Sequence, residues 1–592
     1  MRIKRMMALL LALAILGAGT AALAAGYKAG TYKASAKGMV GDVTVEVTFT
    51  DSAIASVEVV SHNETAGIGT TAVDKLPGQI VEHQSLKLDA ISGATITGDA
   101  ILAAVADCVQ QAGGDVDALQ VKEIEKVQLE DETLTADVVV VGAGVAGLSA
   151  AIEAAEAGAK VVLLEKMAAV GGASITCGGE VLAAGTQLQK DQGIEDTAEA
   201  LGDLWVDAGE GKANEEYLRA IAKQNADTIE FMQKHGVVFM GVKTPTSYPW
   251  QYPMRNHQTE EGSGAGFILP MEKSARDLGV DLRTDTKATK LIQEDGQVVG
   301  VVAENAGRTV TVKAPSVVLA TGGYGNNKEL MDQYALPEIP NSGVRVGEAN
   351  QGDGLIMARD AGAQIVGSGA GIALALDFSA DYGIEPYGRY LYVDSQGNRF
   401  MDESQYWFVR TRKLYDIGGS FFLLTDKKDT HHDWEKLVVD GKASKGDTLA
   451  DLAQAIGMDA AQLQKTVDTY NGWCASGVDG EFGKPAMNVD KYANKEGVEA
   501  FPLLTALDSA PFYAMKMGFN SLSGTFSGPK VTLQGEVLTA EDKVIPGLYA
   551  AGEVANGDLY YKQYPCSGSA IQLYCSMGRF AGQAAAAYAK GK

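Results

Sequence analysis

The chain has 592 residues, 46% hydrophobic and 21% charged, enough for several cores and several domains of about 100 to 200 residues. Its 75 Asp and Glu outweigh 50 Lys and Arg, a formal net charge of −25 that argues against nucleic acid or an anionic membrane surface as partner. Five cysteines, Cys108, Cys177, Cys474, Cys566 and Cys575, form no C-x-x-C or C-x-x-C-H spacing, so no zinc site, iron–sulfur cluster, haem attachment or disulfide scaffold is expected. In chain order, the basic start Met1-Arg-Ile-Lys-Arg-Met, the apolar run Met7 to Leu16 and the closing Ala22-Leu23-Ala24 read as a cleavable signal peptide over residues 1–24. Export to a periplasm or to the cell surface is therefore expected. No other segment is long and apolar enough to span a bilayer.

Residues 27–114 carry Gly30-Thr-Tyr-Lys, the alternating Val43-Thr-Val-Glu-Val-Thr-Phe of a half-buried strand, His62-Asn-Glu-Thr65, Leu76-Pro-Gly, and then the heptad Asp89-Ala-Ile-Ser92-Gly93-Ala94-Thr95. Ser-Gly-Ala-Thr alone is ordinary loop chemistry. In this order, however, the elements resemble the FMN-binding domains of flavin-transferase substrates. The resemblance implies FMN held by a phosphoester on Thr95, a flavin transferase for maturation, and Asp89 within the sequence that enzyme reads.

A charged connector, residues 115–134, is expected to lead into a second region. There Ala136-Asp-Val-Val-Val-Val-Gly142-Ala-Gly144-Val-Ala146-Gly147 gives a buried strand, a glycine turn and an Ala-rich helix ending near Gly158. Lys160-Val-Val-Leu-Leu-Glu165 then supplies a second strand and an acidic residue at the spacing of a ribose ligand. Further on stand Gly171-Gly-Ala173-Ser174, Val317-Val-Leu-Ala-Thr-Gly322-Gly323, Gly352-Asp353-Gly354 and Gly547-Leu-Tyr-Ala-Ala-Gly552-Glu553. Together these resemble the soluble fumarate reductase and flavocytochrome c family from Ala136 to the C-terminus. The resemblance implies non-covalent FAD, with Gly179, Asp353 and Glu553 among its contacts and Ala570 and Ile571 against the isoalloxazine. It also implies an α/β fold: a Rossmann-like FAD-binding domain (135–369 and 523–592) interrupted by an α+β capping domain (370–522), behind the small α+β FMN-binding domain. In the cap, Leu449 to Gly457 and Met458 to Tyr470 read as amphipathic helices, the second stopping at Asn471-Gly472.

Members of that family reduce C=C bonds conjugated to a carbonyl, which needs a proton donor and donors for the carbonyl oxygen. Three cationic or His ligands of the dicarboxylate reductases are missing here. After Gly397-Asn-Arg-Phe-Met-Asp-Glu403 the expected Arg is Trp407, between Tyr406 and Arg410. A His-rich clamp is replaced by Ser523-Gly-Thr-Phe-Ser-Gly528, and a further Arg by Pro565. Tyr564-Pro-Cys-Ser-Gly568 instead resembles the 3-ketosteroid dehydrogenases, implying a ketone polarised by the Tyr564 hydroxyl and the Gly568 N–H. Tyr406 or Arg410 is the candidate proton donor, and Glu180 and His257 are candidate substrate contacts. The expectation is an exported ene-reductase for an enone or bulky aromatic compound, its FMN fed by a membrane-linked or soluble donor. The alternatives are an unsaturated-carboxylate reductase and a non-catalytic flavin electron shuttle.

Overall fold

The computed structural model describes residues 26–89, 91, 93–124, 129–243, 253–339, 343–344, 347–374, 388–405, 407–488, 501–519 and 521–592. The expected signal peptide and Tyr406 fall outside them. Two compact units divide at residues 127 and 128, inside the expected connector.

In the first unit, β1 (Gly30–Lys37), β2 (Asp42–Phe49) and β3 (Ile54–Ser61) make an antiparallel sheet in that order. The alternation of β2 puts Val43, Val45, Val47 and Phe49 on one face, all buried, as a period of two requires. Two helices cover that sheet, α1 (Gly69–His83) and α2 (Thr95–Gln111), the second through Ile101, Val105 and Cys108. The connector is shorter than its composition suggests. Asp115 caps a short helix, Val116–Val121, whose Leu119 is buried, and Glu132–Thr135 pairs in parallel with Arg308–Lys313 of the second unit.

The second unit contains β4 (Val138–Val141), α3 (Val145–Glu156), β5 (Val161–Leu164), β6 (Asp281–Arg283), β7 (Ser316–Leu319), α4 (Asp353–Asp360), β8 (Ile365–Leu374), β9 (Ser521–Pro529), β10 (Glu536–Leu538), β11 (Val544–Ala550) and α5 (Ser569–Lys590). Its main sheet has the order β6-β5-β4-β7-β11-β10, parallel except for the β10–β11 hairpin. The four valines of β4 and all of β5 are buried on both faces, as helix-covered parallel strands must be. Helices α3 and α5 pack so closely that a Cβ on Gly578 would lie 2.2 Å from the Ala146 carbonyl oxygen, and one on Gly582 would lie 2.3 Å from that of Ala150. Gly578→Ala is therefore expected to destabilise the unit by about 1–3 kcal/mol through overpacking, read as a lower Tm and weakened FAD retention.

The cap enters and leaves through paired strands, since β8 runs antiparallel to β9 with Leu374 opposite Ser521. Its own sheet orders Leu391–Val393, Ser420–Asp426, Phe512–Gly518 and Ser444–Gly446, and helices Leu449–Ile456 and Ala460–Ser476 cover it. The second of these helices does not stop at Asn471-Gly472. Trp473 and Cys474 still pack on the core, and the chain turns at Gly477 with φ 71°, a left-handed position that glycine adopts without strain.

Candidate active site

A cavity of about 670 Å³ opens at the carboxyl ends of β4, β7 and β11, where the helices begin. This is where ligands bind in open parallel sheets. At one end Gly142, Gly144 and Ala146 reach it, and Gly142 has φ 99° with the Ala320 carbonyl 2.3 Å from any added Cβ. Gly147 does not line the cavity. A Cβ there would fall 1.8 Å from the Gly142 oxygen, so its part is to let α3 close on the turn. Glu165 ends β5 with Oε2 accepting the Ala143 N–H (2.8 Å) and Oε1 the Met167 N–H (2.9 Å), while burial raises its pKa. Both oxygens keep lone pairs for ribose hydroxyls. Asp353, at the start of α4, pairs with Lys166 and lies 3.5 Å from Lys287; all three line the cavity.

Ala173 and Ser174 line the middle, with Ser174 Oγ accepting the Val145 N–H at 3.3 Å. Opposite them, Glu553 Oε1 accepts the Thr525 N–H (2.9 Å) and hydroxyl (3.1 Å). Burial pushes the Glu553 carboxyl up to about 7, against the Thr525 and Gly323 hydrogen bonds that lower it. The folded state thus binds this proton more tightly than the unfolded chain. Stability of the apoprotein is expected to fall by up to about 3 kcal/mol as pH rises from the ordinary carboxylate range through 7, and Glu553→Gln should flatten that slope in thermal melts. Asn350 also faces the cavity, and its buried Nδ2 has no hydrogen-bond partner among the described residues. A buried amide left unpaired at a cavity wall fits a ligand that supplies the acceptor. Glycine turn, ribose-ready carboxylate and orphaned amide together fit FAD.

At the far end Tyr564, Gly568, Ala570, Ile571, Phe408 and Glu180 meet the cavity. The Tyr564 hydroxyl accepts the Ala570 N–H (2.8 Å) from the first turn of α5, so its own hydrogen remains to be donated. Burial drives its pKa far up, the Ala570 bond only partly opposing this, which keeps the phenol protonated. Gly568, with φ 85°, brings the start of α5 so near Leu182 that a Cβ would lie 2.8 Å from its nitrogen. Phe408 stands edge-on to Tyr564, ring centroids 4.8 Å apart. Glu180 is already engaged, accepting from Asn256 Nδ2 (2.8 Å) with Lys243 Nζ at 3.4 Å.

Three expectations need correction. His257 is fully buried away from the cavity, bonded to the Thr186 hydroxyl (2.7 Å) and the Arg255 carbonyl (3.0 Å), and burial pushes its pKa down to about 4. It is not among the residues that line the cavity. Arg410 is buried over the Tyr392 ring (5.1 Å) and is absent from the lining, because Phe408, two positions earlier on the helix Trp407–Asp416, takes the cavity side. Gly179 packs on the Thr259–Ser263 loop, where a Cβ would meet Thr259 Oγ1 at 2.4 Å, and its neighbour Gly178 lines the cavity. Asp353 was expected from its Gly-Asp-Gly motif, whereas Asn350, Phe408 and the two lysines at Asp353, Lys166 and Lys287, carry no local signature and were missed in the sequence.

A family described as FAD binding domain matches residues 137–569, and one described as FMN-binding domain matches residues 38–110. An NADH:acrylate oxidoreductase of Vibrio harveyi is 29% identical over 94% of this chain, which spans only 61% of that relative. A urocanate reductase of Eggerthella lenta is 30% identical, over 96% of this chain and 94% of its own. Among solved structures, a 3-ketosteroid-delta4-(5alpha)-dehydrogenase of Rhodococcus jostii RHA1, in complex with 4-androstene-3,17-dione, is 26% identical with a TM-score of 0.62, covering 77% of this chain and 100% of its own. With the fingerprint turn, Glu165 and Glu553 placed on one cavity and the match running over most of the sequence, the chain belongs to the FAD binding domain family, an FAD-dependent oxidoreductase carrying an FMN-binding domain ahead of it.

Proposed function

We propose that the protein reduces a C=C bond conjugated to a carbonyl, in an enone or a bulky aromatic compound, with electrons entering at FMN on Thr95 and passing to FAD in the cavity. One observation carries the choice of substrate: among the described residues no Arg or His lines the cavity, and its two lysines are held at Asp353. A carboxylate would meet no fixed cation among the described residues of the lining. A ketone oxygen needs only neutral donors, and Tyr564 presents one beside Gly568. FAD bound in the cavity would supply hydride to the β-carbon. The chain's share is to hold the carbonyl oxygen on the Tyr564 hydroxyl, to stabilise the charge that grows there, and to flank the substrate with Phe408.

Glu180 favours a second reading, a basic heteroaromatic acid held at the cavity by that carboxylate, as the urocanate-reducing relative suggests. It requires the Lys243 contact to open. Turnover of an enone with a chemical reductant in D2O separates C=C from C=O reduction: solvent deuterium at both the α-carbon and the β-carbon of a saturated ketone is expected, since flavin reduced in D2O carries solvent deuterium at N5, and an alcohol product would sink the proposal. Export rests on the first 24 residues, and the intact mass of the mature protein, lacking them and gaining one FMN, tests export and flavin transfer together.

A further inference from the structure

Thr95 is exposed at the first position of α2, where the helix dipole and free N–H groups favour a phosphate. Two residues on, Thr97 is buried and its hydroxyl donates to Glu64 Oε2 in a short hydrogen bond. The same carboxylate accepts the N–H of Met39 (3.2 Å) and of Val40 (3.0 Å) from the turn between β1 and β2. Two glycines make room for it. A Cβ on Gly38 would lie 2.5 Å from Glu64 Oε1, and one on Gly69 would lie 2.8 Å from Glu64 Cβ. Burial would raise the Glu64 pKa, but Thr97 and the amides of Val40, Met39 and Gly41 bring it below the ordinary value, so the clamp is ionised. One carboxylate therefore ties the tip of the sheet to the first turn of the acceptor helix.

What the clamp brings there is apolar and uncovered. Met39 is 66% exposed, Val40 58% and Ile96 52%. Five large apolar side chains are exposed among the described residues of this unit, Met39, Val40, Val60, Ile96 and Val121, and three of them stand at this corner. A cluster of this kind marks a surface meant to be covered. A flavin tethered by its phosphate to Thr95 is a planar apolar ring system confined to the neighbourhood of that helix end, and tethering gives it a high effective concentration there.

We propose that Glu64 is a positioning residue for the covalent FMN, holding the Met39–Val40 turn beside Thr95 so that these side chains, with Ile96, receive the isoalloxazine ring. This rests on attachment at Thr95. The surface double variant Met39→Ser/Val40→Ser removes the platform while keeping the two backbone N–H groups that Glu64 accepts and adding no charge beside it. In the full chain, matured with its flavin transferase, it should keep FMN stoichiometry and Tm. Iodide quenching of FMN fluorescence should rise as the docked fraction falls by about tenfold, the size expected for losing two aliphatic contacts. Glu64→Gln, if folded by its melt, should show the same rise. Unchanged quenching in the double variant at full FMN occupancy overturns the platform. Unchanged quenching in a folded Glu64→Gln overturns the positioning role. If Thr95→Ala still carries covalent FMN, attachment itself is misplaced and both fall for that separate reason.

Discussion

Tyr564→Phe is expected to lower kcat by about two to three orders of magnitude, the usual result of removing one oxyanion donor. The hydroxyl has two functions that the substitution separates from packing. It accepts the Ala570 N–H and so fixes the first turn of α5, and its remaining hydrogen is a neutral donor placed beside Gly568. Phenylalanine keeps the edge-to-face contact with Phe408 and the ring contact with Tyr560, so stability should change only by the lost hydrogen bond, about 1 kcal/mol. Kinetics with an enone, paired with FAD stoichiometry and a melt, separate the effects. Because the carbonyl oxygen gains charge only as reaction proceeds, kcat should fall much more than KM rises. A variant that raises KM alone would reduce Tyr564 to a binding residue. Its strongly raised pKa also predicts no alkaline limb from this phenol in the working range.

Thr95→Ala is expected to abolish turnover driven by the physiological donor while leaving the half-reaction of chemically reduced FAD with substrate intact. Thr95 belongs to the first compact unit, whereas every residue lining the cavity belongs to the second. On the proposed electron route the substitution thus removes the entrance and leaves the chemistry. The variant should lose the flavin that survives denaturation, seen as in-gel fluorescence, and keep the flavin that denaturation releases. Loss of both activities would mean that the first unit also shapes the cavity.

Much of this was legible in the sequence because it is local. Four valines, a glycine turn and Glu165 lie within about thirty residues, and β4, α3 and β5 form where their pattern demands. Tyr564 and Gly568, expected from the resemblance of one short motif, both line the cavity because one turn and one helix start place them. His257 and Arg410 failed for the opposite reason. Which way a side chain on β-structure or on the helix Trp407–Asp416 faces depends on elements packed against it, and here Thr186 claims the histidine and the Tyr392 ring covers the arginine. Asn350 shows the limit most clearly, because a buried amide becomes a ligand candidate only when its missing partner can be seen. The helix Ala460–Ser476 outran its Asn-Gly stop because Trp473 packs on the core of the cap, tertiary burial outweighing a local turn preference.

The cavity is proposed to serve a neutral conjugated carbonyl. Purified protein, reduced anaerobically, can be mixed with a panel of cyclic enones, steroidal enones, aromatic enones and unsaturated acids while flavin absorbance is followed. Rapid reoxidation by one or more of the enones, with unsaturated acids slow, and loss of the rapid phase in Tyr564→Phe, is the predicted result. Rapid reoxidation by carboxylates alone would contradict it.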